Sequence, residues 1–225
     1  MLKNAQIGEA YTNNINLYLE KGYIRRLDHT EKSPLQKWYQ PHFPVVRPDR
    51  TTTRTRIVFD ASVKFEGVSL SDAIYQGPKL QRELTDVLLR FRRNPVALMC
   101  DIAEMYLRIE VATKDRPYQR FLWRALNQER APDEYEFNRV VFGVNSSPFQ
   151  AQFVAQTHAE QHKDEFPMAA ETVLKSTYMD DSMDSVVDES QGIKLYEELN
   201  QLWSKSGIQA LSGYQIRPRF SKGNL

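Results

Sequence analysis

Two adjacent aspartates, Asp180 and Asp181, are the residues of this sequence best suited to metal chemistry. Strand-like runs at residues 172–176 and 186–187 flank the stretch Thr-Tyr-Met-Asp-Asp-Ser-Met-Asp-Ser at residues 177–185. This pattern predicts a β-hairpin with both acids at its tip, because aspartate is favoured in turns and depleted inside strands. Two like charges about 4 Å apart repel by about 4 kcal/mol at an effective dielectric of about 20, and a divalent cation removes that cost. An acidic surface turn is the alternative interpretation of the pair alone.

A third acid, Asp101, ends the apolar run Pro-Val-Ala-Leu-Met-Cys-Asp at residues 95–101. Such a run is typical of a buried strand that presents a carboxylate at its carboxyl end. Its neighbour Cys100 is the single cysteine of the chain, which excludes an intramolecular disulfide and a zinc site built on several thiols. We interpret Cys100 as a buried structural thiol.

The spacing of these residues resembles the catalytic core of reverse transcriptases. Asp101 and Tyr106 form the pattern Asp-x-x-x-x-Tyr, and residues 178–181 are Tyr-Met-Asp-Asp. Other motifs, in their order and spacing, resemble the polymerase segment of BEL/Pao-type LTR retrotransposon polyproteins over about residues 1–210. These motifs are Pro-His-Phe-Pro-Val at 41–45, Arg-Ile-Val-Phe-Asp-Ala-Ser at 56–62, Gly-Pro-Lys-Leu at 77–80, Tyr-Gln-Arg-Phe-Leu-Trp at 118–123 and Tyr-x-x-x-x-Val-x-Phe-Gly-Val-x-Ser-Ser-Pro-Phe at 135–149.

The resemblance implies an α+β fold. A polymerase palm, built as an antiparallel ferredoxin-like sheet backed by helices, is expected together with a β-rich fingers region, and the thumb is expected to be absent. The chain is then a single reverse transcriptase domain fragment. Its fingers are expected at about residues 1–95 and 113–145, and its palm at about residues 96–112 and 146–210.

The function implied by the resemblance is RNA-directed DNA polymerisation, in which a deoxynucleotide is transferred to a primer 3′-hydroxyl at two Mg²⁺ ions, or Mn²⁺ in their place. Asp101 and Asp180 are expected to bridge both ions and Asp181 to act less directly, while Tyr178 and Met179 touch the primer end. A catalytically inactive nucleic-acid-binding relic of such a polymerase is the alternative hypothesis. An unrelated metal enzyme acting on diphosphates is a third, which the ordered motifs disfavour.

The resemblance implies that three further residues contact the substrates. Arg56 matches the basic residue that holds the incoming triphosphate, and Arg54 is its substitute, because a guanidinium makes paired contacts with phosphate oxygens. Tyr106 matches an aromatic residue that excludes a 2′-hydroxyl by bulk, and Gly143 gives backbone access near the nascent base pair. A solvated strand edge for Arg56 and a core position for Tyr106 are the alternatives.

The expected partners are an RNA or DNA template with its primer and deoxynucleotide triphosphates, and the oligomeric state is left open. The net charge is +1, but residues 1–60 hold ten Lys and Arg residues against six Asp and Glu residues, a net charge of +4. This excess suits a grip on phosphates. No apolar run approaches 18 residues and the first residues lead into no signal-peptide core, so we expect no membrane association and an intracellular location, cytoplasmic or nuclear.

Apolar spacing and helix breakers predict helices at about residues 4–21, 80–91, 148–163 and 189–205, and strands at about 51–60, 118–123 and 135–142. Four polar side chains are interpreted as lying outside any site. His42 is expected in a loop. His158 and His162 have the i, i+4 spacing of a zinc pair but lack a third ligand, so a solvated helix face is preferred. Asp184 is expected to be a solvated hairpin acid.

The end of the sequence departs from the family pattern. Family members continue into Leu-x-Lys-Trp-x-Ser-Asn, whereas residues 211–217 are Leu-Ser-Gly-Tyr-Gln-Ile-Arg. A back-translation of residues 212–222 preceded by one added base gives Lys-Trp-Leu-Ser-Asn in a shifted frame. We therefore expect residues 211–225 to be an out-of-frame tail, with the motif lysine and the thumb, RNase H and integrase regions lost.

Overall fold

The computed structural model describes residues 5–31, 33–47, 55–206 and 217–218. The helices are α1 (Ala5–Glu20), α2 (Leu70–Ala73), α3 (Leu84–Phe91), α4 (Ser147–Gln161), α5 (Pro167–Lys175) and α6 (Glu189–Lys205). The strands are β1 (Ile24–Arg26), β2 (His42–Val46), β3 (Thr55–Phe59), β4 (Val96–Asp101), β5 (Arg120–Trp123), β6 (Asp133–Phe137), β7 (Thr177–Tyr178), β8 (Asp181–Val186) and β9 (Arg217–Pro218). Short 3₁₀ helices lie at Tyr106–Arg108 and Arg116–Gln119.

The chain divides into two compact units. The first unit comprises Met1–Gln76 and Tyr106–Ser147, and the second comprises Gly77–Met105 and Pro148–Leu225. Antiparallel sheets and helices occur in both, so the α+β prediction is confirmed. The boundaries proposed for fingers and palm stay a prediction.

The first unit holds two antiparallel sheets around an aromatic core. The sheets have the strand orders β1-β6-β5 and β2-β3. Phe59, Phe121 and Phe137 come from three different strands, and their ring centroids lie 4.8–5.5 Å apart. Helix α1 covers this core with Tyr11 and Ile15, which are buried at helical spacing. The helix expected at residues 4–21 is therefore confirmed, because one of its faces has a core to cover.

His42 lies in strand β2 and not in a loop. Its Nε2 donates to the Leu122 carbonyl oxygen at 2.9 Å, which leaves Nδ1 to accept a hydrogen bond from the Tyr11 hydroxyl. The ring packs against Phe59 and Phe121, and this burial lowers the pKa of His42. The prolines on either side exclude a helix but not an edge strand, which is why this prediction was wrong.

The second unit is built on a four-stranded antiparallel sheet with the order β7-β8-β4-β9. Strands β4 and β8 form its centre, paired from Val96 with Val186 to Asp101 with Asp181. Side chains alternate along β4, so Leu98 and Cys100 are buried while Met99 is 43% exposed. Helices α3, α5 and α6 pack on this sheet. The sheet therefore has a helix-covered face and a more open face, and its central pair ends at two aspartates.

The run before the Asp180–Asp181 pair is a helix and not a strand. Residues 172–176 were expected to be extended, but helix α5 covers Pro167–Lys175 and strand β7 has only two residues. Pro167 suits the first helical turn, and Ala169, Ala170 and Val173 are buried at helical spacing. The strand propensity of the β-branched residues near Thr172 is small, and the burial of this helix face outweighs it.

Residues 211–216 and 219–225 of the expected out-of-frame tail lie outside the described residues. The part that is described, Arg217–Pro218, pairs antiparallel with Val96 and Ala97 of β4. Across the described helices, none combines the length and apolar character needed to cross a bilayer.

Candidate active site

The two adjacent aspartates lie at the turn of the β7–β8 hairpin. Tyr178 pairs with Asp181 across the hairpin, so Met179 and Asp180 form a two-residue turn. Met179 has a positive φ of +59°, a conformation that turns of this length usually assign to glycine or asparagine. The tight turn presents Asp180 at the tip and Asp181 at the first position of β8, which confirms the expected hairpin.

Strand β4 brings Asp101 to the same end of the sheet. Asp101 is the direct cross-strand partner of Asp181, a relation that brings Cβ atoms to within about 4.5–5.5 Å. The backbone N–H of Ile102 donates to the carbonyl oxygen of Asp180 at 2.9 Å. One strand end and one turn thus hold all three aspartates, and their mutual register is fixed by backbone hydrogen bonds.

Gln152 of helix α4 is a residue of this site that the sequence did not indicate. Its side chain is 4% exposed, and its Nε2 donates to the Met179 carbonyl oxygen at 2.9 Å. This hydrogen bond from helix α4 gives the carbonyl oxygen of the turn a partner. An amide between the buried residues Ala151 and Ala155 of one helix is the signal that could have indicated this role, because buried amides need partners.

The charges of the three aspartates act on one another. Burial raises the pKa of Asp101, and the negative charges of Asp180 and Asp181 raise it further. Burial likewise raises the pKa of Asp181, and so does the charge of Asp180. Among the described residues no lysine or arginine counteracts these shifts. The site therefore holds negative charge that the described part of the chain leaves uncompensated.

This donor set fits a hard divalent cation. Carboxylate oxygens are the ligands that Mg²⁺ and Mn²⁺ prefer, and Mg²⁺ commonly binds through one or two carboxylates together with substrate phosphates. In the part of the chain that the structure describes, no three His, Cys, Asp or Glu side chains form a group able to hold one ion. The fit accordingly rests on donor chemistry and uncompensated charge, and not on a preformed cage.

The other predicted site residues belong to different parts of the chain. In the first unit, Arg56 is exposed on β3 opposite Val45. Tyr106 is 5% exposed, and its ring packs on Phe142 with centroids 4.2 Å apart. This packing agrees with the alternative interpretation of Tyr106 as a core residue. The predicted contact of Tyr106 with the nucleotide sugar stays a prediction.

Gly143 is required by close packing of the backbone. Its φ is +100°, and a Cβ at this position would lie 1.9 Å from the carbonyl oxygen of Phe59. The conformation favours glycine, and no side chain fits against that strand end. Access to a base pair, the role implied by the resemblance, stays a prediction.

Two interpretations of polar residues are wrong and one is confirmed. Asp184 is 5% exposed and accepts a hydrogen bond from Thr172, so it is not solvated. His158 donates from Nε2 to the Leu202 carbonyl oxygen and stacks on Trp203, so its helix face is packed on α6. Cys100 is buried, and that burial raises the pKa of its thiol to about 12, as expected of a structural thiol.

Solved structures with a similar fold include those of a foamy viral protease-reverse transcriptase. The native crystal structure of prototype foamy virus protease-reverse transcriptase aligns with a TM-score of 0.64 and 19% sequence identity over 95% of this chain and 24% of that chain. A selenomethionine-labelled CSH mutant of that protein gives a TM-score of 0.66 and 17% identity over 96% and 24%. The foamy viral protease-reverse transcriptase in complex with an RNA/DNA hybrid gives 0.64 and 17% over 95% and 24%. This chain thus spans about a quarter of the length of these structures.

The fold that carries the three aspartates is therefore that of a reverse transcriptase polymerase. No curated protein matches the sequence significantly. The family model for reverse transcriptase (RNA-dependent DNA polymerase) matches residues 34–211. The chain belongs to this family.

Proposed function

We propose that this chain is the polymerase domain of a retrotransposon reverse transcriptase, which extends a primer 3′-hydroxyl with deoxynucleotides along an RNA template. The observation that carries the proposal is the in-register pairing of Asp101 with Asp181 beside the turn that holds Asp180. Polymerases of this family generally use divalent metal ions. A cluster of repelling carboxylates at a strand end is suited to that requirement.

The three acids divide the binding of the ions between them. Asp101 and Asp180 would hold the Mg²⁺ or Mn²⁺ ions most directly, with Asp181 in a less direct role. When bound, the ions would lower the pKa of the primer hydroxyl and would neutralise charge on the triphosphate and the leaving pyrophosphate. The pairing of β4 with the hairpin fixes the relative positions of the three acids. Acids from separate strands would therefore lie around one reacting centre.

Residues outside the acid cluster are proposed to orient the substrates. Arg56 is exposed, and its guanidinium would offer planar donors to phosphate oxygens. Tyr178 and Met179 immediately precede the acids in the hairpin and contact the primer end. Tyr106 limits the space at the sugar, and the Gly143 backbone lies by the nascent base pair. Each of these roles extends the family resemblance residue by residue.

We further propose a BEL/Pao-type element as the origin, because the ordered motifs at residues 41–149 have that pattern. Residues 211–225 are proposed to be an out-of-frame tail, and the family match ends at residue 211. The nucleotide sequence across codons 207–222 tests this second proposal. Codons that are incompatible with the shifted frame would rule it out.

Primer extension tests the proposed activity. The purified chain, supplied with an RNA template, a DNA primer, deoxynucleotides and Mg²⁺, is expected to extend the primer. Asp180→Asn is expected to lower the rate by about a hundredfold or more, because metal ions contribute several kcal/mol of transition-state stabilisation. Asp164→Asn is the matched control: it removes an exposed acid outside the site and should leave the rate unchanged.

A second candidate function is nucleic-acid binding without catalysis. The sequence of the first unit holds 18 Lys and Arg residues against 14 Asp and Glu residues, a net charge of +4, which favours contact with phosphates. If folded parent protein and Asp180→Asn both fail to extend the primer yet bind the duplex, this candidate replaces the polymerase.

A further inference from the structure

A buried acid lies beneath the hairpin that carries the catalytic aspartates. Asp184 faces the helix-covered side of β8, where its Oδ2 accepts a hydrogen bond from the Thr172 hydroxyl at 2.9 Å. Its Oδ1 accepts from the backbone N–H of Ser185 at 2.8 Å. Asp184 lies three positions after Asp181 on β8, which corresponds to about 10 Å along a strand.

Arg90 of helix α3 supplies the cation for this buried acid. Its terminal nitrogen lies 4.0 Å from Asp184 Oδ2 and donates to Glu171 Oε1 at 3.0 Å. Its Nε donates to the hydroxyl of Ser176 at 2.8 Å. Ser176 is fully buried between helix α5 and strand β7. We refer to Arg90, Thr172, Ser176 and Asp184 as the Arg90 network.

The Arg90 network continues into the backbone of the hairpin. The Met183 N–H donates to the Ser176 carbonyl oxygen at 2.7 Å. On the next residues, the hydroxyls of Thr177 and Ser182 share a buried hydrogen bond of 2.8 Å across the hairpin. Strand β8 is therefore hydrogen-bonded directly to Ser176 of the network, and the Thr177–Ser182 hydrogen bond joins β7 to β8 beside it.

A second contact joins helix α3 to the other end of β8. The Ser185 hydroxyl donates to the Arg90 carbonyl oxygen at 2.6 Å. Asn94 donates from its backbone to that hydroxyl and from its side chain to the Ser185 carbonyl oxygen. Helix α3 thus holds the hairpin strand through both the side chain and the backbone of Arg90.

We propose that Arg90 and Asp184 are positioning residues for polymerisation: they anchor the β7–β8 hairpin so that Asp180 and Asp181 stay in register with Asp101. This inference rests on the proposed function. The turn concentrates negative charge that repels Asp101, so the hairpin needs attachment points away from the tip. The Arg90 network supplies them on the face of the sheet opposite to that of Asp101 and Asp181, because side chains alternate along paired strands.

A cavity beside the network makes the anchor sensitive to substitution. It has a volume of about 260 Å³ and is lined by Arg90, Thr172 and Asp184 together with Glu171 and Val187. Because the guanidinium forms part of its wall, a shorter-reaching side chain at position 90 leaves space for water beside Asp184. Water can then replace the hydrogen bonds that hold the hairpin.

The test compares Arg90→Lys with Arg93→Lys in the purified full chain. Lysine keeps the charge but cannot make the fork of contacts that Arg90 makes, and Arg93 is an exposed arginine that follows the same helix. Hydrogen–deuterium exchange of peptide 177–186 is the first measurement, with peptide 5–20 of the first unit as internal reference. Arg90→Lys is expected to accelerate exchange of the hairpin about tenfold and to leave peptide 5–20 unchanged. Arg93→Lys is expected to change neither.

Primer-extension kinetics form the second measurement. Arg90→Lys is expected to lower kcat about tenfold, to leave KM for the deoxynucleotide within about twofold, and to raise the Mg²⁺ concentration for half-maximal rate several-fold. Thr172→Val, which removes the hydroxyl donated to Asp184 while preserving size, is expected to change the same quantities in the same direction. This second variant preserves the test if Arg90→Lys does not fold.

Unchanged hairpin exchange, equal acceleration in peptide 5–20, or unchanged kinetics despite faster hairpin exchange would each overturn the positioning role. A parent protein that extends no primer refutes the proposed function instead. In that case exchange of peptide 177–186 alone decides whether the Arg90 network anchors the hairpin.

Discussion

At the scale of single residues, the fold holds Asp101, Asp180 and Asp181 close together although their negative charges repel one another. Burial and neighbouring charge both raise the pKa of Asp101, so its ionised form is less favourable in the folded chain than in the unfolded one. Placement of like charges at one point costs stability. A site that binds a cation benefits from this arrangement, since the ion relieves a repulsion that the empty fold must carry.

Asp101→Asn is expected to raise the free energy of unfolding at pH 7 without metal, by up to about 1 kcal/mol because solvent screens a half-exposed site. The folded pKa of Asp101 lies above the unfolded value, so the native state binds the proton more tightly. The stability of the parent then falls as pH rises through the folded pKa. The gain in the variant should vanish below the unfolded pKa of about 3.9. Urea titrations between pH 3 and pH 8 measure both.

Asp133→Asn provides a control of opposite sign. Burial favours the neutral form of Asp133, but hydrogen bonds from Arg130 and Arg26 outweigh burial and lower its pKa. Its replacement should therefore lose stability at pH 7 and cost little at low pH. If Asp101→Asn also loses stability at pH 7, repulsion among the site acids is not the dominant effect.

At the scale of elements, the structure depends on a few backbone positions where no side chain fits. Strand β3 ends at Phe59, whose carbonyl oxygen abuts Gly143. Gly67 has a comparable positive φ of +86°, yet a Cβ there would meet nothing within 4 Å. A comparison of Gly67 with Gly143 therefore distinguishes the cost of backbone conformation from the cost of a steric clash.

Gly67→Ala is expected to destabilise the chain by about 1–2 kcal/mol, the cost of a left-handed conformation for a residue with a Cβ. Gly143→Ala adds overpacking of about 1–3 kcal/mol to that cost and should reach about 2–5 kcal/mol. Chemical denaturation followed by circular dichroism gives both values. Equal losses in the two variants would show that the Phe59 carbonyl moves aside without cost.

At the scale of the whole molecule, charge is divided unevenly along the chain. The sequence segments of the first unit carry a net charge of +4, whereas those of the second unit carry 12 Lys and Arg residues against 15 Asp and Glu residues, a net charge of −3. The second unit contains the three site acids. A phosphate polymer is expected to be attracted by the first segments, and its contact with the acids depends on cations.

The proposed binding of an RNA/DNA hybrid is therefore expected to weaken by about tenfold or more between 50 and 200 mM salt, because each neutralised phosphate releases counterions. Fluorescence anisotropy with a labelled hybrid measures the dissociation constant across this range. Asp180→Asn should bind at least as tightly as the parent, since it removes a negative charge without removing a phosphate contact. Salt-independent binding would show that phosphates are not the main contacts.

The sequence by itself determined the features that local pattern controls. An apolar run before Asp101 is sufficient to predict a buried strand, and a pair of acids between short polar and apolar residues is sufficient to predict a turn. Helix α1 followed from spacing alone for the same reason. The ordered motifs by themselves also indicate the reverse transcriptase family, which the family match at residues 34–211 confirms.

Only the tertiary structure decided the features that depend on distant partners. Residues 172–175 are helical because α5 buries alanines and a valine, which overrides the strand preference of single residues. Asp184 is buried because Thr172 and Arg90 compensate it, and Gln152 reaches the Met179 turn from another element. The identity of a polar residue does not show whether its partner is water or a side chain dozens of residues away. The burial and pairing of such residues are therefore decided only when the chain packs.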